Sequence, residues 1–189
     1  QLMSIKMERE RVSTRRMTFQ YWLDRTEATH YNRLYEEHMP CVALIYADNY
    51  EELNADPNFQ RGTVMVEVER RISDFVSSVE GVYRRYDNAR FFTIFEAKWL
   101  PGIEKQRFSL LDSVREIETG IPTRITLSIS VGAASRILQS DKAARQAMEL
   151  ALGRGGDQAV IKHGSAYSFY GGKRQVATRQ SKVKIRLFA

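Results

Sequence analysis

Residues 41–47, Cys41-Val42-Ala43-Leu44-Ile45-Tyr46-Ala47, form an unbroken apolar run bounded by Pro40 and Asp48. Seven such residues without polar alternation predict a central strand buried on both faces, because a half-exposed strand would alternate. On its C-terminal side lies a turn-rich stretch, Asp48 to Gly62, with Asn54, Asp56, Pro57 and Asn58. Beyond it Val64, Val68, Ile72, Phe75, Val76 and Val79 recur at helical spacing and stop at Gly81. Gly81–Tyr86 and Arg90–Glu96 then read as two strands joined by a tight turn at Asp87-Asn88.

Farther out, Pro101 to Thr119 carries Ile103, Phe108, Leu111, Val114 and Ile117 and predicts one helix ended by Gly120. Residues 123–133, TRITLSISVGA, read as a strand, Asp141–Leu152 as a helix, and Ala159–Lys162 and Tyr167–Tyr170 as further strands. Toward the N-terminus, Asp24-Arg25-Thr26-Glu27 caps a helix to about His38, with Tyr31, Leu34 and Tyr35 on one side. Met3, Ile5 and Met7, then Met17, Phe19, Tyr21 and Leu23, alternate as two strands with no core of their own. The order strand–helix–strand–strand–helix–strand, with an added helix and strand, predicts a ferredoxin-like α/β sandwich (an α+β fold): a mainly antiparallel sheet with helices on one face.

Composition narrows the function classes. Among 189 residues, 43% are hydrophobic and 28% charged, an ordinary globular balance. No apolar run approaches the roughly 18 residues of a membrane span. The first residues, QLMSIKMERERVSTRR, lack the apolar core of a signal peptide and an initiator Met, so the sequence reads as a piece of a longer protein. The single cysteine, Cys41, excludes an internal disulfide and fits a reducing cytoplasm as a buried small hydrophobe. The net charge of +6 is spread among acids and on solvated faces, without aromatic-plus-basic interleaving, so nucleic acid is not an expected partner. His30, His38 and His163 show no metal-ligand spacing.

The turn segment Arg85-Tyr86-Asp87-Asn88-Ala89-Arg90-Phe91 resembles the R-Y-G-G-D-E-F hairpin of diguanylate cyclases. Val131-Gly132-Ala133 after Leu127-Ser128-Ile129, and the helix leading to Arg154-Gly155-Gly156, are similar to other elements of that family. Three segments narrow the match: Asp48-Asn49-Tyr50-Glu51-Glu52, Leu150 through Gln158 (LALGRGGDQ), and Phe169-Tyr170-Gly171-Gly172-Lys173. Together they resemble the modified, degenerate GGDEF domain of YybT/GdpP-type cyclic-di-AMP phosphodiesterases, over about residues 18–189. The resemblance implies a membrane-anchored bacterial protein with a PAS domain before this domain, a DHH/DHHA1 phosphodiesterase unit after it, a cytoplasmic location and a homodimeric assembly. It divides the chain into a C-terminal PAS remnant (1–23), a linker helix (24–40), the degenerate GGDEF domain (41–172) and a linker toward the DHH unit (173–189). No Asp-His-His triplet occurs in the sequence, so the family's hydrolytic metal site lies elsewhere in such a protein.

A nucleotide cyclase needs carboxylates to hold Mg²⁺ against a triphosphate. At the positions where active relatives carry them, this chain has Tyr46, Ala89 and Arg90, and keeps Asp48. The hairpin glycines are replaced by Asp87 and Asn88, so the degenerate motif is Asp87-Asn88-Ala89-Arg90-Phe91. Diguanylate cyclisation is therefore not expected, and no residue is assigned as catalytic. The resemblance still implies a nucleotide, ATP by preference, with Mg²⁺ on Asp48, the base at Asn54 and Thr63, and phosphate near Arg90. Thr63 stands where guanine-specific relatives carry Asp, which relaxes guanine preference. Asp48 and Asn54 are also good turn residues. Arg90 also reads as a solvated strand charge, and Gly153-Arg154-Gly155-Gly156 reads as a helix stop whose following turn is fixed by Asp157 and Gln158. Three roles stay open: a regulatory relay between PAS and phosphodiesterase, a slow ATPase, and a purely structural dimerisation spacer without nucleotide.

Overall fold

The structure, a computed structural model, describes residues 3–12, 15–24 and 26–171, with side chains from 27 to 171. It divides into two compact units, residues 1–38 and 39–189. The first holds β1 (Met3–Val12) and β2 (Arg15–Asp24), paired antiparallel from Met3↔Asp24 to Val12↔Arg15, and α1 (Thr26–Glu37). The predicted two-strand reading of this segment and the start of its helix are both found. The expected linker beyond Gly171 lies outside the described residues.

The second unit is built on a six-stranded sheet. Its strands are β3 (Pro40–Ala47), β4 (Val82–Asp87), β5 (Arg90–Glu96), β6 (Leu127–Ala133), β7 (Gln158–His163) and β8 (Ala166–Gly171), in the order β4-β5-β3-β6-β7-β8. Among the described residues only β6 and β7 pair in parallel. The apolar run is central, flanked antiparallel by β5 and β6. Its helices are α2 (Tyr50–Asn54), α3 (Arg61–Ser78), α4 (Leu100–Lys105), α5 (Ser109–Arg115) and α6 (Ile137–Gly153).

Helices cover both faces of this sheet, not one as the strand order predicts. Cys41, Ala43 and Ile45 point to one face with Phe91, Phe95, Ile129 and Val131, against Val64, Val68, Ile72 and Val76 of α3 and Leu111 and Val114 of α5. Val42 and Leu44 point to the other face with Val160, against Ala144, Ala147, Met148 and Ala151 of α6. That is why residues 41–45 are all buried. The α6 face is made of small residues at helical spacing, so the helix lies close on β6. The closest approach is at Gly132, where a Cβ would stand 2.5 Å from the Ala144 amide nitrogen and 2.9 Å from the Ala143 methyl. At the same place Ser140 Oγ donates to the Pro40 carbonyl (2.7 Å) and accepts from the Ala134 amide (3.0 Å), so the helix start is tied to β3 and to the end of β6.

Three local predictions need correction. The stretch after β3 is not all turn, since Tyr50–Asn54 forms a short helix that buries Tyr50 and Leu53. The helix expected over Pro101–Thr119 is broken in two, because Arg107 and Phe108 take left-handed φ values of 52° and 56°. That break seats Phe108 fully in the core, and hydrophobic burial of an aromatic ring outweighs the local backbone cost. The strand expected from Thr123 starts only at Leu127, because Arg124–Thr126 is bound to Asn49 instead. Cys41 is buried as expected, and burial pushes its thiol up to about 12.

Gly132→Ala is expected to cost about 3 kcal/mol or more, since the clash is with backbone that cannot rotate away. Urea unfolding followed by circular dichroism checks it, with Gly153→Ala, where a Cβ meets nothing within 4 Å, as the near-neutral control.

Candidate functional site

The end of β3 is held from both sides. The Ala47 amide donates to the Ala89 carbonyl in the hairpin turn (2.9 Å), and the Asp48 amide donates to the Thr126 carbonyl (3.0 Å). Asn49 completes the second tie, its Nδ2 donating to the Arg124 carbonyl (2.8 Å) and its Oδ1 accepting from the Thr126 amide (3.2 Å). These bonds fix where the Asp48 side chain starts.

The Asp48 carboxylate reaches the turn that follows α6. Its Oδ2 accepts from the Asp157 amide (2.9 Å) and, at 3.5 Å, from the Thr126 hydroxyl. Gly156 (φ 70°) and Asp157 (φ 54°) both take left-handed backbone, and a Cβ at Gly156 would lie 2.8 Å from that same Oδ2. Glycine is needed here for the conformation and for the close approach. Asp157 is in turn gripped by Arg115, whose Nε donates to Oδ1 (2.7 Å) and whose Nη2 donates to the carbonyl (3.3 Å). Gln158 ties the turn to the helix end, donating to the Ala151 (3.0 Å) and Gly156 (3.3 Å) carbonyls. Asp48 Oδ1 and Ser128 Oγ are buried without a hydrogen-bond partner among the described residues.

Burial is the main cause that raises the Asp48 carboxyl above its ordinary range, and the Asp157 charge adds to it. The hydroxyl of Ser128, near the carboxylate but outside hydrogen-bond geometry, and the bonds from Asp157 and Thr126 act in the opposite direction. Mg²⁺ beside a phosphate is held by one or two ionised carboxylates, and burial here disfavours the ionised form of Asp48. Among the described residues no group of three His, Cys, Asp or Glu is placed to hold a metal ion. One oxygen of Asp48 is committed to the turn and Asp157 to Arg115, which leaves Asp48 Oδ1 as the carboxylate oxygen here without a hydrogen-bond partner among the described residues.

The positions beside Asp48 are filled differently. Tyr86 donates its hydroxyl to Tyr46 Oη (2.8 Å), and the two rings meet edge-on with centroids 6.5 Å apart. Arg90 lies 5.1 Å over the Tyr46 ring and 3.8 Å from Asp87 Oδ2. The hairpin turn is closed by Asp87 Oδ1 accepting from the Asn88 amide (2.7 Å) and by Arg85, which donates to the Asp87 (3.1 Å) and Asn88 (2.7 Å) carbonyls. Asn54, at the end of α2, and Thr63, in the first turn of α3, are exposed, and neither side chain has a hydrogen-bond partner among the described residues. Thr63 lines a cleft with Glu67, Arg71 and residues 116–118, in which Asp48, Asn54 and Arg90 take no part.

The residues expected at a nucleotide site thus split. Asp48 and Arg90 belong to neighbouring packed structures at the end of β3, while Asn54 and Thr63 lie free on the α2–α3 side. Sequence reasoning saw that Asp157 and Gln158 fix a turn but missed what the turn holds. It also missed the Tyr46–Tyr86 pair, whose signal was the register: Tyr46 opposes Arg90, and the bulge between Arg85 and Asp87 frees Tyr86 to lean across.

The sequence matches the family described as "Cyclic-di-AMP phosphodiesterase GdpP-like, GGDEF domain" over residues 45–169. It is 33% identical over 172 residues to a cyclic-di-AMP phosphodiesterase GdpP of Geobacillus thermodenitrificans, covering 89% of this chain and 26% of that protein. The GdpP of Bacillus subtilis is 31% identical over the same shares. The chain spans about a quarter of the length of these curated relatives. Among solved structures, the active GGEEF domain of a Vibrio cholerae diguanylate cyclase superposes with a TM-score of 0.58 at 16% identity, covering 73% of this chain and 90% of that one. The GGDEF domain of DgcB from Caulobacter crescentus, in complex with c-di-GMP, gives 0.56 at 17% identity, covering 71% and 85%. Both likenesses concern the fold.

If Asp48 is a structural acceptor, Asp48→Ala strands the Asp157 amide and should cost about 1–3 kcal/mol. Asp48→Asn keeps an acceptor for that amide and offers a donor toward Ser128, so it should be neutral or stabilising at neutral pH. The sign with pH follows from the raised carboxyl: folding favours its protonated form, so no penalty exists below the unfolded value near 3.8, and the penalty is complete above the raised folded value. Urea titrations between pH 3.5 and 7 should therefore show the wild type losing ground to Asp48→Asn as pH rises.

Proposed function

Since the chain belongs to the family of GGDEF domains of GdpP-like cyclic-di-AMP phosphodiesterases, we propose that it is a regulatory domain that does not cyclise nucleotides. The observation that carries this reading is the fate of Asp48. The one acidic position retained at the end of β3 is used as an acceptor that fixes the Gly156–Asp157 turn, and its neighbours are a tyrosine pair and an arginine. Cyclisation needs metal-held triphosphate beside an activated hydroxyl, and this arrangement supplies no carboxylate set for it.

On this reading the domain passes conformational state between a PAS unit before it and a DHH/DHHA1 phosphodiesterase unit after it, within a membrane-anchored protein whose catalytic site lies outside this chain. No helix among the described residues is long and apolar enough to cross a membrane. A homodimer through α1 is part of the proposal, supported by Tyr31, Leu34 and Tyr35, which are exposed along one side of that helix.

ATP is proposed as the modulating nucleotide, bound and not efficiently turned over. Asn54 and Thr63, exposed on the α2–α3 side, would meet the base edge, and the phosphate contact would be Arg90, which is exposed but rests over Tyr46 and beside Asp87. Thr63 offers no carboxylate to accept from the guanine ring and amino N–H groups, which favours adenine.

Isothermal titration with ATP and GTP, with and without Mg²⁺, tests this. Saturable ATP binding weakened by Asn54→Ala is expected, together with no cyclic-di-GMP formed from GTP. Thr63→Asp should shift preference toward GTP by about tenfold or more, the scale of a regained acceptor for paired donors. Cyclic-di-GMP production, or GTP preferred over ATP by the wild type, would overturn the reading.

A further inference from the structure

The helices leave part of the sheet bare. On the face covered by α6, that helix packs on β3, β6 and β7, and the outer strands β4 and β5 extend beyond it. There a cleft of about 440 Å³ opens, lined by Leu44, Arg84, Arg85, Tyr86, Phe92 and Arg145. Pockets of this size hold nucleotide-sized ligands.

Register explains its chemistry. Arg84, Phe92 and Leu44 are directly opposite one another across three strands, so all three side chains stand on one face. Strand spacing puts Arg84 about 10 Å from Leu44 with Phe92 between them. Arg84 thus forms one wall, Phe92 and Leu44 the floor, and Arg145 on α6 the opposite wall. Arg84 has no ion pair or hydrogen bond among the described residues. Arg145 is held by Asp141 (2.9 Å) and remains largely exposed. The Arg85 guanidinium leaves for the other face, where it lies over Phe91 and pairs with Glu69. No carboxylate lines the cleft; Asp141 pairs with Arg145, Asp87 lies beside Arg90, and Glu149 stands exposed one helical turn beyond Arg145 on α6.

Two guanidiniums facing across an aromatic and aliphatic floor suit a ligand that is anionic at one end and flat and apolar at the other. We propose that this cleft binds a free nucleoside phosphate, with phosphate oxygens on Arg84 and Arg145 and the ring against Phe92 and the Tyr86 edge. A bare phosphate would leave the floor unused, and Arg84 would have no reason to face a ring. The groups differ from Asn54 and Thr63, so this site and the ATP position proposed above can fail separately.

The test is a titration of the full chain in EDTA with ADP, with pyrophosphate and with a single-stranded trinucleotide, read by calorimetry and amide NMR shifts. Saturable ADP binding is expected, with shifts on β4, β5 and α6. Arg84→Ala and Arg145→Ala should each weaken it about tenfold, the loss of one charge-assisted contact. Arg84→Ala should leave the unfolding midpoint unchanged, since Arg84 contributes no bond to the fold. Asn54→Ala and Thr63→Val should leave ADP binding intact, and pyrophosphate should bind about tenfold more weakly for want of a stacking ring. Flat heats with ADP, pyrophosphate binding as tightly as ADP, or unchanged affinity in both arginine variants would overturn the proposal. So would loss of binding in Asn54→Ala, which would place the nucleotide at the α2–α3 side, or a trinucleotide that binds as well as ADP, which would point to a nucleic-acid strand.

Discussion

The bond from the Asp157 amide to the Asp48 carboxylate joins parts of the chain that are 109 residues apart. Through it the end of β3 is coupled to the turn after α6, and through Arg115 that turn is coupled to α5. Asn49 and Thr126 extend the same junction to the start of β6. Four elements that arrive from different directions thus meet on one carboxylate and one turn. The cost is the desolvation of Asp48, visible in its raised carboxyl and its unpartnered Oδ1. The junction persists because removing that acceptor would leave a backbone N–H without a partner, and a lost partner costs more than a strained one.

The same economy explains the two unlike faces of the sheet. One face packs against α3 and α5 with branched and aromatic side chains, where volume is filled by large residues. The other packs against a helix whose contact residues are alanines, a serine and a methionine, and it reaches its density by close approach at Gly132. A narrow helix of small residues cannot span six strands. The β4–β5 side of that face is therefore left to Phe92, Ile94 and the arginines, and the open cleft follows from how α6 is packed.

Much of this was legible in the sequence. The apolar run 41–47, the hairpin 81–96 and the α3 periodicity placed three strands and a helix within a residue or two, because each has a strong and uninterrupted period. The break at Phe108 left one trace, the five-residue step from Ile103 to Phe108 where a helix face needs three or four, and the steps of three on to Leu111 and Val114 masked it. Helices on both faces could have been inferred from the burial demanded by CVALIYA, whose Val42 and Leu44 need a cover opposite the one over Ala43 and Ile45. For the site, the resemblance implied that Tyr46, Ala89 and Arg90 stand where active cyclases carry carboxylates, and in the structure Arg90 lies over the Tyr46 ring. The role of Asp48 was not legible, because the Asp48–Asp157 bond joins two segments that neither period nor motif relates.

The replacements form a consistent set when considered as electrostatics. A metal-holding strand end concentrates negative charge, and its neighbours must be arranged to tolerate it. The charge that acts on Asp48 is the Asp157 carboxylate, which is itself gripped by Arg115, while Arg90 lies beside Asp87. Asp48 is then stable only with its charge compensated or protonated, and the Asp157 amide, Thr126 and its own raised carboxyl provide both routes. Arg90, with no metal to avoid, settles on the Tyr46 ring, where the face of an aromatic attracts a cation. The Tyr46–Tyr86 hydroxyl bond then ties the hairpin to β3. Together these contacts tie the strand end to the hairpin on one side and to the turn after α6 on the other.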